Sequence, residues 1–348
     1  MSSRSAQATG PATSCWLLRG KDGALSAYAP ADGGLLRWTE QRPGGPDWTG
    51  PHFIEVTGLT HATLAQGPDT YVHLVARRTT ARGVELAQAT QYQTGRPFGP
   101  WHSLGNPHKE EDRARAVGAP AAAVAEDGRL HVFVRNAGGG FSLRRQGKSG
   151  KWEGWKDLKG SRLPDAMPAA VAVGGRVELL AAGERQLSRW CQDEPGGDLT
   201  EAEPFDARAA AGSVTGLCTA DGRATYYGCA PGGAGISAYR TGAGALSLGG
   251  APDGGPVAVL RTPIEGFDCT VLAHRARNGR PAIAACPTEG EADGLWWTET
   301  GEPSLGAPSL AVDGEGRVVL AAIAEDGTLR VARQKAEPGL ALAAWTRA

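Results

Sequence analysis

The chain has 348 residues, a formal net charge of −1, 51 glycines and 23 prolines. Balanced charge excludes the basic excess of a nucleic-acid binder, and no apolar run approaches the ~18 residues that span a bilayer. Abundant turn formers exclude long helices, while a 41% hydrophobic content is enough for a sizeable core.

The opening residues, MSSRSAQATGPATS, carry no apolar stretch of the kind a secretory leader needs, so the expected location is the cytoplasm. Residues 1–12 are expected to be disordered or to supply a closing strand. From Cys15 onward short apolar runs alternate with tight turns: Cys15 to Leu18, Leu25 to Tyr28, Leu35 to Trp38, and Asp47 to Phe53. A second set spans His61 to Ala65, Val72 to Arg77, Val84 to Ala87 and Phe98 to Leu104, followed by a charged insert, Lys109 to Arg113, read as a solvated loop. The clearest set runs from Ala119 to Gly160, where Asp127-Gly128 joins Pro120–Ala125 to Leu130–Arg135. Asp-Gly between two short apolar runs is a strong hairpin signal, because both residues tolerate the positive φ of a type I′ turn.

Related turns recur at Asp22-Gly23, Gly174-Gly175, Asp221-Gly222, Asn278-Gly279 and Glu315-Gly316. Their period of roughly 45–50 residues is that of propeller repeats. The expected fold is all-β: a seven-bladed β-propeller with about four antiparallel strands per blade. The blades fall near residues 13–60, 61–118, 119–165, 166–213, 214–265, 266–304 and 305–348, as one domain. The stretch Leu246 to Gly266 reads as an irregular loop. Aligning the second strands on their turns gives an apolar position (Ala27, Leu74, Val132, Leu179, Tyr226, Ile283, Leu320). Two residues on lies a small one (Ala29, Ala76, Val134, Ala181, Gly228, Ala285, Ala322), the size pattern of sheet-on-sheet packing.

Gly99-Pro100-Trp101-His102-Ser103-Leu104-Gly105 and Gly150-Lys151-Trp152-Glu153-Gly154-Trp155-Lys156-Asp157-Leu158-Lys159-Gly160 resemble the G-x-W-x-x-W-x-x-L-G-G repeats of bacterial propeller lectins. These are the seven-bladed, tectonin-related proteins typified by the fucose-binding lectins of insect-pathogenic bacteria. The resemblance implies sugar pockets between adjacent blades, with tryptophan stacked on the ring. The motif is kept in blades two and three, partly in one and seven, and lost in four to six.

Candidate site residues follow from position. His73 and His131 are equivalent on neighbouring blades, where a histidine either bridges an interface or serves as a proton carrier. Arg77 and Arg135 end the same strands and as a pair could clamp a carboxylate or phosphate, or bridge to acids nearby. His61 and Trp16 begin inner strands and are expected at the rim of a central funnel; Arg19, His274 and Arg275 are placed on inner strands too. Glu178 replaces the histidine in blade four and is a candidate general base or ion-pair partner. Trp38, Trp190, Tyr239 and Trp297 recur near one point of the third strand, as core or as ligand platforms. Trp101, Trp152 and Trp155 are the motif tryptophans for stacking.

No zinc spacing, calcium ladder, Walker loop, dinucleotide fingerprint or Gly-x-Ser-x-Gly elbow is present, so no metal or cofactor is expected. The six cysteines show no CxxC spacing and are expected to stay reduced; Cys269 and Cys286 face each other across the Asn278-Gly279 hairpin, where a disulfide is the less favoured state. Three readings of function remain. One is a propeller with a single small-molecule site in the funnel or at a blade junction, either a binder or a cofactor-independent cyclase, isomerase or lyase. A second is a lectin-like binder of saccharides between blades, and a third a protein-interaction scaffold.

Overall fold

In the computed structural model, which describes residues 6–348, the chain folds into seven four-stranded antiparallel sheets, each built from consecutive strands. It is a seven-bladed β-propeller. Two compact units divide it: blades one, six and seven with residues 93–96, and blades two to five. Residues 1–5, part of the expected terminal segment, lie outside the described residues.

Each blade is a meander of hairpins, and the size pattern of the second strand explains how blades stack. In blade three, Leu130, Val132 and Val134 pack with Val75, Leu86 and Leu104 of blade two. The other face of that strand sends Phe133 into a cluster with Val177, Leu179 and Trp190 of blade four. Burying such side chains contributes roughly 1.5–3 kcal/mol each, so the faces between blades form the core.

Polar links supplement the packing within each unit. Arg77 donates through Nε to the Val117 carbonyl (2.8 Å), just ahead of blade three, and Arg135 likewise to Leu163 (2.8 Å), ahead of blade four. Arg275 does the same to Ser304 (2.7 Å), where blade seven begins. A glutamine at the end of the third strand forms a second repeated device. Gln146, Gln192 and Gln334 each accept the N–H of the residue that opens the second strand of their own blade, Leu130, Val177 and Val318. Glu40 fills the same role for Leu25 in blade one.

Blade seven completes itself with its own last residues, Thr346–Arg347, and then packs against blade one. Trp16 donates its indole N–H to Ala307 (3.0 Å), and Ser309 Oγ accepts from the backbone of Leu17 (3.1 Å) and donates to Ser14 (2.7 Å). The buried carboxylates of Glu40 and Asp313 meet Arg333 and Arg317, whose guanidinium groups also donate to Gly45 and Gly44. Among the described residues of the terminal segment, 6–12, a single bridge, Ala8 to Ala31, takes the place of a strand.

Blade six departs from the sequence reading. The supposed loop holds two strands, Gly244–Gly249 at the edge of blade five and Ala258–Ile264 opening blade six. Asn278-Gly279 therefore joins the second and third strands, and Leu272 and His274 occupy the places read as Ile283 and Ala285, while Val271 and Ala273 face blade seven. His274 and Arg275 consequently lie on a second strand, Phe267–Arg275, not an inner one. The charged insert also gains structure, as a short helix Glu111–Arg115 that buries Ala114. All six cysteines carry thiols rather than disulfides, Cys269 and Cys286 among them.

Candidate functional site

A cavity of about 210 Å³ lies at the junction of blades six and seven. Its floor comes from the small residues Ala322 and Ala324 on the second strand of blade seven, Val318–Ala324. One wall is Pro281 with the connection Gly301-Glu302-Pro303-Ser304; the other is Arg330 with Trp345.

Trp345 is the last motif tryptophan, and it is seated by blade six. Its indole N–H donates to Thr300 Oγ1 (2.9 Å). Gly301 lets the ring approach: it has φ +70°, and a Cβ there would sit 2.7 Å from the indole. Any side chain at 301 would therefore be strained and would displace the ring.

Arg330 is the unexpected member. It pairs across the hairpin with Ala322, and the matching third-strand positions of the other blades are Leu36, Ala87, Ser142, Ser188, Ser237 and Ala282. A guanidinium thus occupies a place that is otherwise apolar or small. Its Nη2 reaches Asp326 at 3.7 Å, while its Nε is buried without a hydrogen-bond partner. A buried N–H left unpaired costs about 1–3 kcal/mol, so the donor is poised for an acceptor in the cavity. Glu302, exposed on the rim, adds an acceptor.

None of the candidate site residues named from sequence lines this cavity. Trp16 is buried as a blade-to-blade contact, not at a funnel rim. Trp38 and Trp190 are buried core residues; Trp190 donates to the Leu158 carbonyl (3.0 Å) and packs edge-on against Phe141. Tyr239 is buried too, its hydroxyl on the Arg208 carbonyl (3.1 Å). These four are walls of the core, which corrects their reading as ligand platforms. Trp297 lies ahead of the fourth strand of blade six, Thr298–Glu299, rather than on the third, and meets His274 edge-on at 4.7 Å. The ring of Trp101 is covered by the Arg78 guanidinium (5.3 Å), itself paired with Glu85 (2.8 Å). Trp152 and Trp155 are half-buried and pack against the core between blades two and three, as Trp345 does against its own, and Trp155 donates to the Leu104 carbonyl (2.9 Å).

The structure joins His61 to Arg77 through Thr60, whose hydroxyl contacts His61 Nδ1 (3.3 Å) and Arg77 Nη1 (2.8 Å). Burial and the Arg77 charge lower the His61 pKa, against the field of Asp165. Arg77 spends its other contacts on the Val117 and Arg115 carbonyls, and Arg135 its Nε on Leu163, so both act as struts between blades rather than as an anion clamp. His73 turns Nδ1 to Thr90 (3.2 Å) and Gln88 (3.4 Å), whereas His131 turns Nδ1 to the Arg129 carbonyl (3.1 Å). The two are thus held by separate partners. Burial pushes the His131 pKa down to about 4 and lowers that of His73.

Glu178 is ion-paired with Arg189 (3.1 Å) and accepts the Tyr226 hydroxyl (2.8 Å). Burial, then this carboxylate, raises Tyr226 well above its ordinary range and pushes the Cys191 thiol up to about 12. The group is an internally satisfied bridge between blades four and five, with no room for a general base's substrate. Among the described residues no cluster of His, Cys, Asp or Glu is placed to hold a metal ion.

No family model and no curated protein matches the chain. Solved structures do. The BP39L lectin from Burkholderia pseudomallei superposes with a TM-score of 0.70 at 16% identity, over 97% of this chain and 100% of that one. An ulvan lyase of polysaccharide lyase family PL25 gives 0.60 at 10% identity, over 96% of each chain. AofleA from Arthrobotrys oligospora gives 0.56 at 11%, over 84% of this chain and 87% of its own. The likeness is one of fold. At that level the resemblance to seven-bladed lectins holds.

Proposed function

We propose that this propeller binds a saccharide at the junction of blades six and seven. The observation that carries the reading is a tryptophan and a guanidinium facing one small cavity, with the guanidinium Nε buried and unpaired. A sugar ring offers an apolar face for Trp345, hydroxyl oxygens for the Arg330 donor, and hydroxyl donors for the Glu302 carboxylate. The volume of about 210 Å³ lies below the ~300–1,000 Å³ of drug-sized sites, which suits one ring rather than a chain. That lectins and a polysaccharide lyase share the fold supports carbohydrate as the ligand class.

Titration calorimetry over a panel of methyl glycosides tests the reading. One site per chain is expected, weakened at least tenfold by Trp345→Ala and by Arg330→Met. Binding at several junctions, or affinity unchanged in both variants, would sink it.

A further inference from the structure

A second, larger cavity of about 590 Å³ adjoins the first, and its chemistry differs. Its lining is dominated by Ile264, Ile283, Trp296, Leu340 and Leu342. Two of the polar groups on its edge are already committed: Thr300 Oγ1 accepts the Trp345 indole, and Glu299 accepts from Asn278 Nδ2 (2.7 Å), which leaves Thr298 as the further hydroxyl of the lining. A hydroxylated ring placed here would lose water contacts and gain few partners, which costs free energy. An apolar group would not.

Two features say what occupies it. The cavities share one wall, because residues 298–300 line the larger and 301–304 the smaller. Pro281 and Ile283, two residues apart on one strand and so about 7 Å, likewise line one each. A molecule seated on Trp345 therefore has its next substituent directed along that strand. Trp296, moreover, is 90% exposed at the mouth of the larger cavity, a large indole left in water. Apolar area returned to cover there is favourable in proportion to its extent.

From this continuity we infer that the ligand is a glycoside with an apolar aglycone, its sugar at Trp345 and its alkyl or aryl group in the cavity beneath Trp296. The inference rests on the saccharide reading. The two are separated by comparing methyl with octyl and phenyl glycosides of the same sugars, below micelle-forming concentration, on the wild type, Trp296→Ala and Trp345→Ala. The octyl glycoside should bind at least tenfold tighter than the methyl one (about 1.4 kcal/mol). Trp296→Ala should erase that gain while leaving the methyl glycoside unchanged, and its exposed position keeps folding out of the result. Equal affinity of methyl and octyl glycosides, or an octyl gain that survives Trp296→Ala, would overturn the aglycone seat and leave the sugar site standing. Binding of octyl but of no methyl glycoside, unaffected by Trp345→Ala, would overturn the sugar seat and with it the glycoside assignment, leaving an apolar site alone.

Discussion

The junctions of blades two with three and of six with seven use the same tryptophan for opposite ends. In blade three the bridge from Gln146 falls on Trp152, and three residues later Trp155 donates to Leu104. Arg144 donates to the same carbonyl and to that of Glu153, so two cationic and aromatic side chains close the junction. In blade seven the matching bridge from Gln334 falls on Leu342, and three residues later comes Trp345. No arginine fills the space beside it from the same position; Ala332 stands where blade three has Arg144. The arginine of blade seven comes instead from the position held by Ser142 in blade three, two residues earlier along the strand. One junction is thus filled and bonded, the other hollow with an unpaired donor. A repeated motif in a propeller marks where a site can form, and the residues around it decide whether one does.

The largest effect should come from emptying the filled junction. Trp155→Ala removes a half-buried indole that packs against the core cluster of blades two and three and is bonded to Leu104, and is expected to cost about 3 kcal/mol, read from urea unfolding. Sugar affinity should not change. Trp345→Ala should do the reverse, abolishing binding with a smaller loss of stability. Equal stability losses in the two variants would show that Trp345 is core and erase the contrast.

The contrast was only half legible in the sequence. The fold was readable because Asp-Gly turns recur at a fixed period and the second strands alternate. Blade six escaped because its first hairpin turns at Glu265-Gly266, with φ of +51° and +82°. That is type I′ geometry with glutamate in a place where asparagine, aspartate or glycine is the usual signal. The stronger Asn278-Gly279 turn therefore reads as the first. The site was missed for a different reason. Intact motifs drew attention to blades two and three, where intact meant tightly packed. The hollow at Trp345 depends on small residues, Gly301, Ala322 and Ala324, that carry no chemistry of their own. The one available signal was Arg330, a charge at a third-strand position that is apolar or small in every other blade.

Acid should separate the two regions next. His131 in blade three is fully buried, and burial holds its pKa at about 4 against an ordinary 6.5. The folded state therefore favours the neutral ring. Its contribution is complete above pH 6.5 and is lost as pH falls towards 4, by up to about 3 kcal/mol. Urea midpoints of the wild type and His131→Gln should converge over that window. No histidine lines the cavity of blades six and seven, so methyl glycoside affinity should hold between pH 7 and about 5.5. Midpoints that stay parallel would show that His131 does not titrate with folding.

The smallest expected effect is the sharpest test of the hollow junction. Arg330 holds a buried Nε–H without a partner, and its ion pair with Asp326 is long at 3.7 Å. Exposed or half-exposed pairs of this kind contribute little, whereas an unpaired buried donor is a standing cost. Arg330→Met keeps the length of the side chain and removes the donor. It should therefore raise stability by about 1 kcal/mol, a Tm gain of about 2 °C, while binding falls at least tenfold. Such opposed changes are what a site retained for function at the expense of stability produces. A variant that loses both stability and binding would make Arg330 a strut of blade seven, as Arg77 and Arg135 are of their blades.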